Sequence, residues 1–147
     1  MERIVVKFGD NQIATGIYQG SDYSTYDFES TEDPPQLNPD EIVITRAEIK
    51  IAYTYPLSKP VTLTHVAPNT NGFTRKELVE QIQANYIRIY NEESATIEKP
   101  ATNIPGWYNR EETDGKYGIW GHCIEDLSLM NLYLREGDTV YEMSIDS

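Results

Sequence analysis

Between Val43 and Tyr55 the side chains alternate. Val43, Thr45, Ala47, Ile49, Ile51, Tyr53 and Tyr55 fall on one side of an extended chain, and Arg46, Glu48, Lys50 and Thr54 on the other. A period of two over this length predicts a strand with one buried and one wet face. Pro56-Leu57-Ser58-Lys59-Pro60 turns the chain, and Val61 to Val66 is placed to pair back antiparallel. Near the start, Ile4, Val6 and Phe8 alternate with Val5 and Lys7. Gly9-Asp10-Asn11 reads as a turn, and Ile13, Thr15 and Ile17 as the returning strand of a hairpin. Near the end, Leu127 and Leu129 alternate, the phase shifts at Met130-Asn131, and Leu132 and Leu134 follow, the pattern of a β-bulge. Glu136-Gly137-Asp138 then turns into Val140 to Ile145, where Tyr141, Met143 and Ile145 share a face.

One stretch changes period. Leu78, Val79, Ile82, Tyr86, Ile89 and Tyr90 recur at helical spacing, with Glu80, Gln81, Gln83 and Asn85 largely on the other face. Thr74 and Glu77 have the spacing of a capping box, in which each side chain takes the other residue's amide. Phe73 and Leu78 sit where a hydrophobic staple places them. The helix is expected from about Arg75 to about Glu92.

The order is therefore β-β-β-β-α-β-β. It predicts one α+β domain over residues 1–147, with a mainly antiparallel sheet of about six strands and the amphipathic helix on one face. A β-sandwich with one helix is the competing architecture. Gly20 to Asp40, with Pro34, Pro35 and Pro39, reads as a long surface loop. Residues 93–116 read as irregular, punctuated by Pro100, Pro105, Gly106 and Gly115.

Charge narrows the partners. The 24 acidic residues outnumber the 12 basic ones, for a net charge of −12. Phosphate backbones are bound by lysines and arginines that displace counterions, so nucleic acid and anionic membrane surfaces are disfavoured. A basic protein partner fits better, although acidity also serves plain solubility. From Gly9 to Thr45 there is no basic residue, while Asp10, Asp22, Asp27, Glu29, Glu32, Asp33, Asp40 and Glu41 all lie there. No apolar run approaches the roughly 20 residues that span a bilayer. The first residues lack the apolar stretch of a signal peptide, which predicts a cytoplasmic product, or a virion component if the source is viral. The single cysteine, Cys123, excludes an internal disulfide and fits a reducing compartment.

The second half carries a distinctive text. Phe73-Thr74-Arg75-Lys76-Glu77-Leu78 opens the helix. Asn109-Arg110 follows, then Gly115-Lys116-Tyr117-Gly118-Ile119-Trp120-Gly121-His122, Ile124-Glu125-Asp126-Leu127 and Ile145-Asp146-Ser147. This half of the chain resembles a group of uncharacterised small proteins of large DNA viruses and of some plants. They share an N-R block, then G-x-Y-G-I-W-G-H, then an acidic D-L pair. The resemblance implies a viral or virus-related source and no established activity. Relatives often have an aspartate directly after the histidine, where this chain has Cys123.

Within that block His122 lies four residues before Asp126. On a helical turn the carboxylate would orient the imidazole, with Trp120 as a stacking wall and Asn109 and Arg110 adding polar groups. If the protein is catalytic, His122, Asp126, Asn109 and Arg110 are the residues to carry it. The favoured reading is structural: a tight crossing of backbones at the glycines, with Trp and Ile filling the core. Cys123 and His122, as chain neighbours, are poorly placed to act as nucleophile and base, and a buried, inert cysteine is expected. His65, His122, Cys123 and the carboxylates show no metal-ligand spacing, so neither metal nor cofactor is predicted. There is no phosphate-cradling loop.

Tyrosine is abundant, with 11 residues. Tyr53, Tyr55, Tyr86, Tyr90 and Tyr141 read as half-buried residues with wet hydroxyls. Tyr23, Tyr26 and Tyr108, with Trp107, read as interface candidates, because aromatic rings give large contact area at low entropy cost. The leading expectation is a non-enzymatic protein that binds a protein partner or its own copies, as part of a larger assembly. A small enzyme or ligand binder with a pocket around Trp120, His122 and Asp126 is the second.

Overall fold

The computed structural model describes residues 3–24, 29, 31–98 and 112–147. In chain order the elements are β1 (Arg3–Gln12), β2 (Ile42–Ile44), β3 (Glu48–Tyr53), β4 (Val61–Val66), β5 (Phe73–Thr74), α1 (Arg75–Thr96), a 3-10 turn (Ile124–Asp126), β6 (Ser128–Arg135) and β7 (Val140–Asp146). Five strands form one sheet in the order β1-β6-β7-β3-β4, and β2 pairs with β5 in a second, two-stranded sheet. Among the described residues the fold is α+β, with one α-helix and a mainly antiparallel main sheet. The exception is β3 with β7, which run parallel through Lys50↔Val140 and Ile51↔Tyr141.

The helix begins as its sequence dictates. The Thr74 hydroxyl accepts from the Glu77 amide at 3.1 Å, and the Glu77 carboxylate accepts from the Thr74 amide at 2.8 Å. Leu78, Val79, Ile82, Tyr86 and Ile89 are fully buried in one core with Phe8, Ile51, Tyr53, Leu129 and Leu132. Each such side chain contributes about 1.5–3 kcal/mol by leaving water. A charge at Ile82, in the middle of this row, would break the packing. The helix runs to Thr96, one turn beyond the expected end, because Glu93 continues the buried row instead of starting a loop. Gln83 also departs from expectation. It is fully buried, and its amide donates to the carbonyls of Gln12 at 2.9 Å and Ile17 at 2.8 Å. Arg75 is buried as well. Its guanidinium donates to the carbonyls of Lys7 at 2.8 Å and Asn38 at 2.6 Å, which ties β1 and the 37–41 segment to the helix start.

Two expected strands are drawn differently. The hairpin over residues 4–17 does not form, and β1 runs straight through Gly9-Asp10-Asn11. Those residues make an irregularity in its register with β6, between Lys7 and Asn11. Gly9 takes a φ of +75°, and the buried Asn11 amide satisfies the displaced backbone. It donates to the Phe8 carbonyl at 2.9 Å and accepts from Gln19 and Gly20 at 2.7 and 2.8 Å. The long alternating stretch 43–55 divides into β2 and β3. Ile42 and Ile44 are drawn onto Thr74 and Phe73 at the helix start, while Ile49, Ile51 and Tyr53 face the core. The expected pairing of β3 with β4 is present from Glu48↔Val66 to Tyr53↔Val61. The bulge expected at Met130-Asn131 is present as a register shift between Leu129 and Asn131.

The acidic 20–40 stretch is stitched at its ends. Ser21 bridges both Asp10 and Gln36, and the Asp22 amide donates to the Pro35 carbonyl at 2.7 Å. Among the described residues no helix is long and apolar enough to cross a membrane.

Candidate functional site

The Gly115–His122 block is built on a buried carboxylate at the end of α1. Glu93 Oε1 accepts from the amides of Tyr117 at 2.7 Å and Gly118 at 3.2 Å. Its Oε2 accepts from the Gly115 amide at 2.8 Å and the Thr113 hydroxyl at 2.5 Å. Burial alone would push this carboxyl up, but the donors from Thr113, Tyr117, Gly115 and Gly118 outweigh it and hold it below the usual glutamate value. A Cβ on Gly115 would lie 2.6 Å from the Glu93 carboxyl carbon, so the loop's first glycine is required for this approach. Glu93 was not singled out from the sequence, yet its place four residues after Ile89 on the apolar row is a readable signal.

So anchored, the chain crosses the Pro56–Lys59 turn. The Ser58 and Lys59 amides donate to the carbonyls of Gly118 and Tyr117 at 2.8 and 3.0 Å, and the Trp120 amide to Pro56 at 3.2 Å. Ile119 points inward and is 2% exposed, and Trp120 points outward and is 43% exposed. The indole meets Tyr55 edge-on at 5.6 Å between ring centres. The His122 ring lies 5.6 Å from Tyr55 and 6.3 Å from Trp120. Tyr90 donates to the His122 carbonyl at 3.1 Å, and the Tyr86 hydroxyl donates to the Tyr55 carbonyl at 2.8 Å. The result is an aromatic patch on a floor fixed by hydrogen bonds.

His122 lies just before the 3-10 turn that Asp126 ends, and Asp126 acts there as a backbone cap. Its Oδ2 accepts from the Cys123 amide at 3.1 Å, and its own amide donates to the Cys123 carbonyl at 3.0 Å. Cys123 is half-buried, where a buried thiol was expected. Asn109, Arg110, Trp107, Tyr108 and Tyr26 lie outside the described residues.

A second histidine is buried in a hydrogen-bonded network. His65 is 2% exposed. Its Nδ1 lies 3.2 Å from the Leu63 carbonyl, which can only accept, so the proton sits on Nδ1. Nε2 then accepts from the Tyr53 hydroxyl at 2.7 Å and the Asn85 amide at 3.1 Å. Burial holds the imidazole below its ordinary value and therefore neutral. Tyr53 and Tyr86 are buried with bonded hydroxyls, where wet ones were expected.

Of the interface tyrosines, Tyr23 is described and is 45% exposed. With Ser21 it lines two adjoining cavities of about 320 Å³ each. One is also lined by Asp10, Gln12, Gln19, Glu125 and Ser128, the other by Lys7, Gly9, Asp22, Ser24, Met130 and Asn131. Lys7 reaches Asp22 at 2.9 Å and Ser24 at 3.0 Å. The Lys7 ammonium, with the Ser24 hydroxyl and amide that donate to Asp22 at 2.7 and 3.0 Å, holds the Asp22 carboxyl down at about 2. Among the described residues no group of three or more His, Cys, Asp and Glu is placed to hold a metal ion. The chain matches no family model, no curated protein and no solved structure.

Proposed function

We propose that the protein is a non-enzymatic component of a larger protein assembly and docks on its partner through the Trp120–Tyr55–His122 patch. The observation that carries this is the exposure of Trp120, edge-on to Tyr55, on a loop whose backbone is hydrogen-bonded to the Pro56–Lys59 turn. A pinned backbone lowers the entropy cost of docking, and tryptophan is the residue type that most often dominates interface energies. The net charge of −12 favours a basic protein over a nucleic acid as the partner. The resemblance of the Gly115–His122 block is the ground for placing that assembly in a virus particle or its host's cytoplasm.

The test uses the full chain, purified from its native source and as recombinant protein. Partner recovery, or self-association in sedimentation, is compared with that of Trp120→Ala. The substitution is expected to cut association roughly a hundredfold while circular dichroism and the thermal midpoint stay close to wild type. A chain that sediments alone and recovers nothing, or an alanine variant that associates as well as wild type, would overturn the reading.

A further inference from the structure

A second surface, at the irregularity between β1 and β6, has a different chemistry. Tyr23 and Ser21 form the wall shared by the two cavities, which makes them lobes of one groove. In one lobe Met130 and the Tyr23 ring supply apolar contact. In the other, Asp10 and Glu125 supply negative charge. Among the described residues neither carboxylate is in an ion pair, whereas Asp22 in the neighbouring lobe is already matched by Lys7. Lys7, which lines this lobe, shows how an ammonium is received here, on a carboxylate and a hydroxyl. Lysine suits such a site because its methylenes tolerate apolar contact while its head seeks charge.

We propose that this groove binds an extended, lysine-bearing segment of a protein partner, with the lysine methylenes against Met130 and Tyr23 and the ammonium at Asp10 and Glu125. Charge complementarity selects this occupant. The stretch from Gly9 to Thr45 contains no cation, and the whole chain is strongly acidic, so a basic segment is both steered to the surface and held there. The site is separate from the Trp120 patch, and its failure leaves that patch untouched.

The experiment titrates a short synthetic peptide of alternating lysine and serine into the full, isotopically labelled chain and follows amide shifts. A peptide of alternating Nε-acetyl-lysine and serine is the control. Shifts are expected at Asp10, Gln12, Ser21 to Ser24, Glu125 and Met130, and not with the acetylated peptide. Asp10→Asn with Glu125→Gln keeps side-chain shape and is expected to weaken binding roughly tenfold. Tyr23→Ala, in an exposed loop, gives a second and independent loss, while Trp120→Ala leaves the titration unchanged. Three results would each overturn the proposal: no binding, equal binding of the acetylated peptide, or shifts spread over other acidic surfaces and indifferent to both groove variants. The last of these would mean attraction to net charge alone.

Discussion

The loop at residues 113–118, seated on Glu93 in a socket at the end of α1, and the turn at residues 122–126 lie a few residues apart in the chain, and both use a carboxylate to hold backbone amides. In the socket, Glu93 is 3% exposed and takes three amides and a hydroxyl. In the turn, Asp126 is exposed and takes one. The histidines repeat the contrast: His65 is buried in a bonded network, and His122 sits in the aromatic patch. Chemistry read from neighbouring letters pointed to His122, which is half-buried, and the exposed Asp126. Burial leaves a polar group only two states, satisfied or costly, so Glu93 and His65 carry the energy and the less buried pair lies nearer to solvent for recognition.

The sharpest way to break that contrast is Glu93→Ala. It leaves the amides of Gly115, Tyr117 and Gly118 and the Thr113 hydroxyl facing a cavity. The expected loss is about 3 kcal/mol, read as a lowered denaturation midpoint. Glu93→Gln sharpens it further. The amide fills the same space, but its NH₂ must face donors, so more than half of the loss should remain. Near-wild-type stability in the glutamine variant would show that the charge is immaterial and that shape alone holds the loop. Because the socket supports the loop that carries Trp120, association should fall with stability in both variants.

The legible parts of the molecule were those in which one local rule decides. The capping box at Thr74 and Glu77, the apolar row of α1, the β3–β4 pairing and the bulge after Leu129 each follow from spacing over a few residues. The missed parts depend on distant partners. Gly9-Asp10-Asn11 reads as a turn until Gln19 and Gly20 are there to take the Asn11 side chain. Gln83 belongs to the wet face by residue type, yet two carbonyls from the Gln12–Ile17 corner draw its amide inside. The split of the 43–55 stretch likewise requires Phe73 and Thr74 as pairing partners. In the site, Trp120 and His122 were visible as residues, but the role of Asp126 needed the geometry of the turn. Glu93 continues the apolar row by spacing, but a glutamate near a helix end is ordinarily exposed, and residue type outweighed spacing.

His65 gives the next largest effect and an independent handle, pH. A folded imidazole held below its ordinary value of 6.5 binds fewer protons than the unfolded one. Stability from the neutral ring is therefore complete above about 6.5 and is lost as pH falls from there through the folded value. Glu93, also depressed, behaves the same way in a lower window, beginning near the ordinary glutamate value of 4.5. Thermal midpoints measured against pH should thus fall in two successive steps on acidification. His65→Gln should remove the upper step and cost about 1–2 kcal/mol at neutral pH, since the Tyr53 hydroxyl and the Asn85 amide lose their shared acceptor. An upper step that persists in this variant would assign it to another group and remove His65 from the comparison.

Asp126 supplies the smallest effect and decides what the exposed turn is for. Asp126→Ala deletes one acceptor from the Cys123 amide, which water can replace. The expected cost is about 0.5–1 kcal/mol, close to that of losing an ordinary cap. Asp126→Asn should restore most of this, because its side-chain oxygen still accepts from the same amide. The pair of variants separates a cap from an acid. A cap tolerates asparagine in both stability and association, because only an acceptor is needed at that point. A group that charges or orients His122 needs the carboxylate itself, so asparagine would then fail as badly as alanine in the Trp120-dependent association assay while unfolding stayed near wild type. Failure of asparagine in that assay alone would move Asp126 from scaffold to recognition, and would place a charged partner group at the His122 end of the patch.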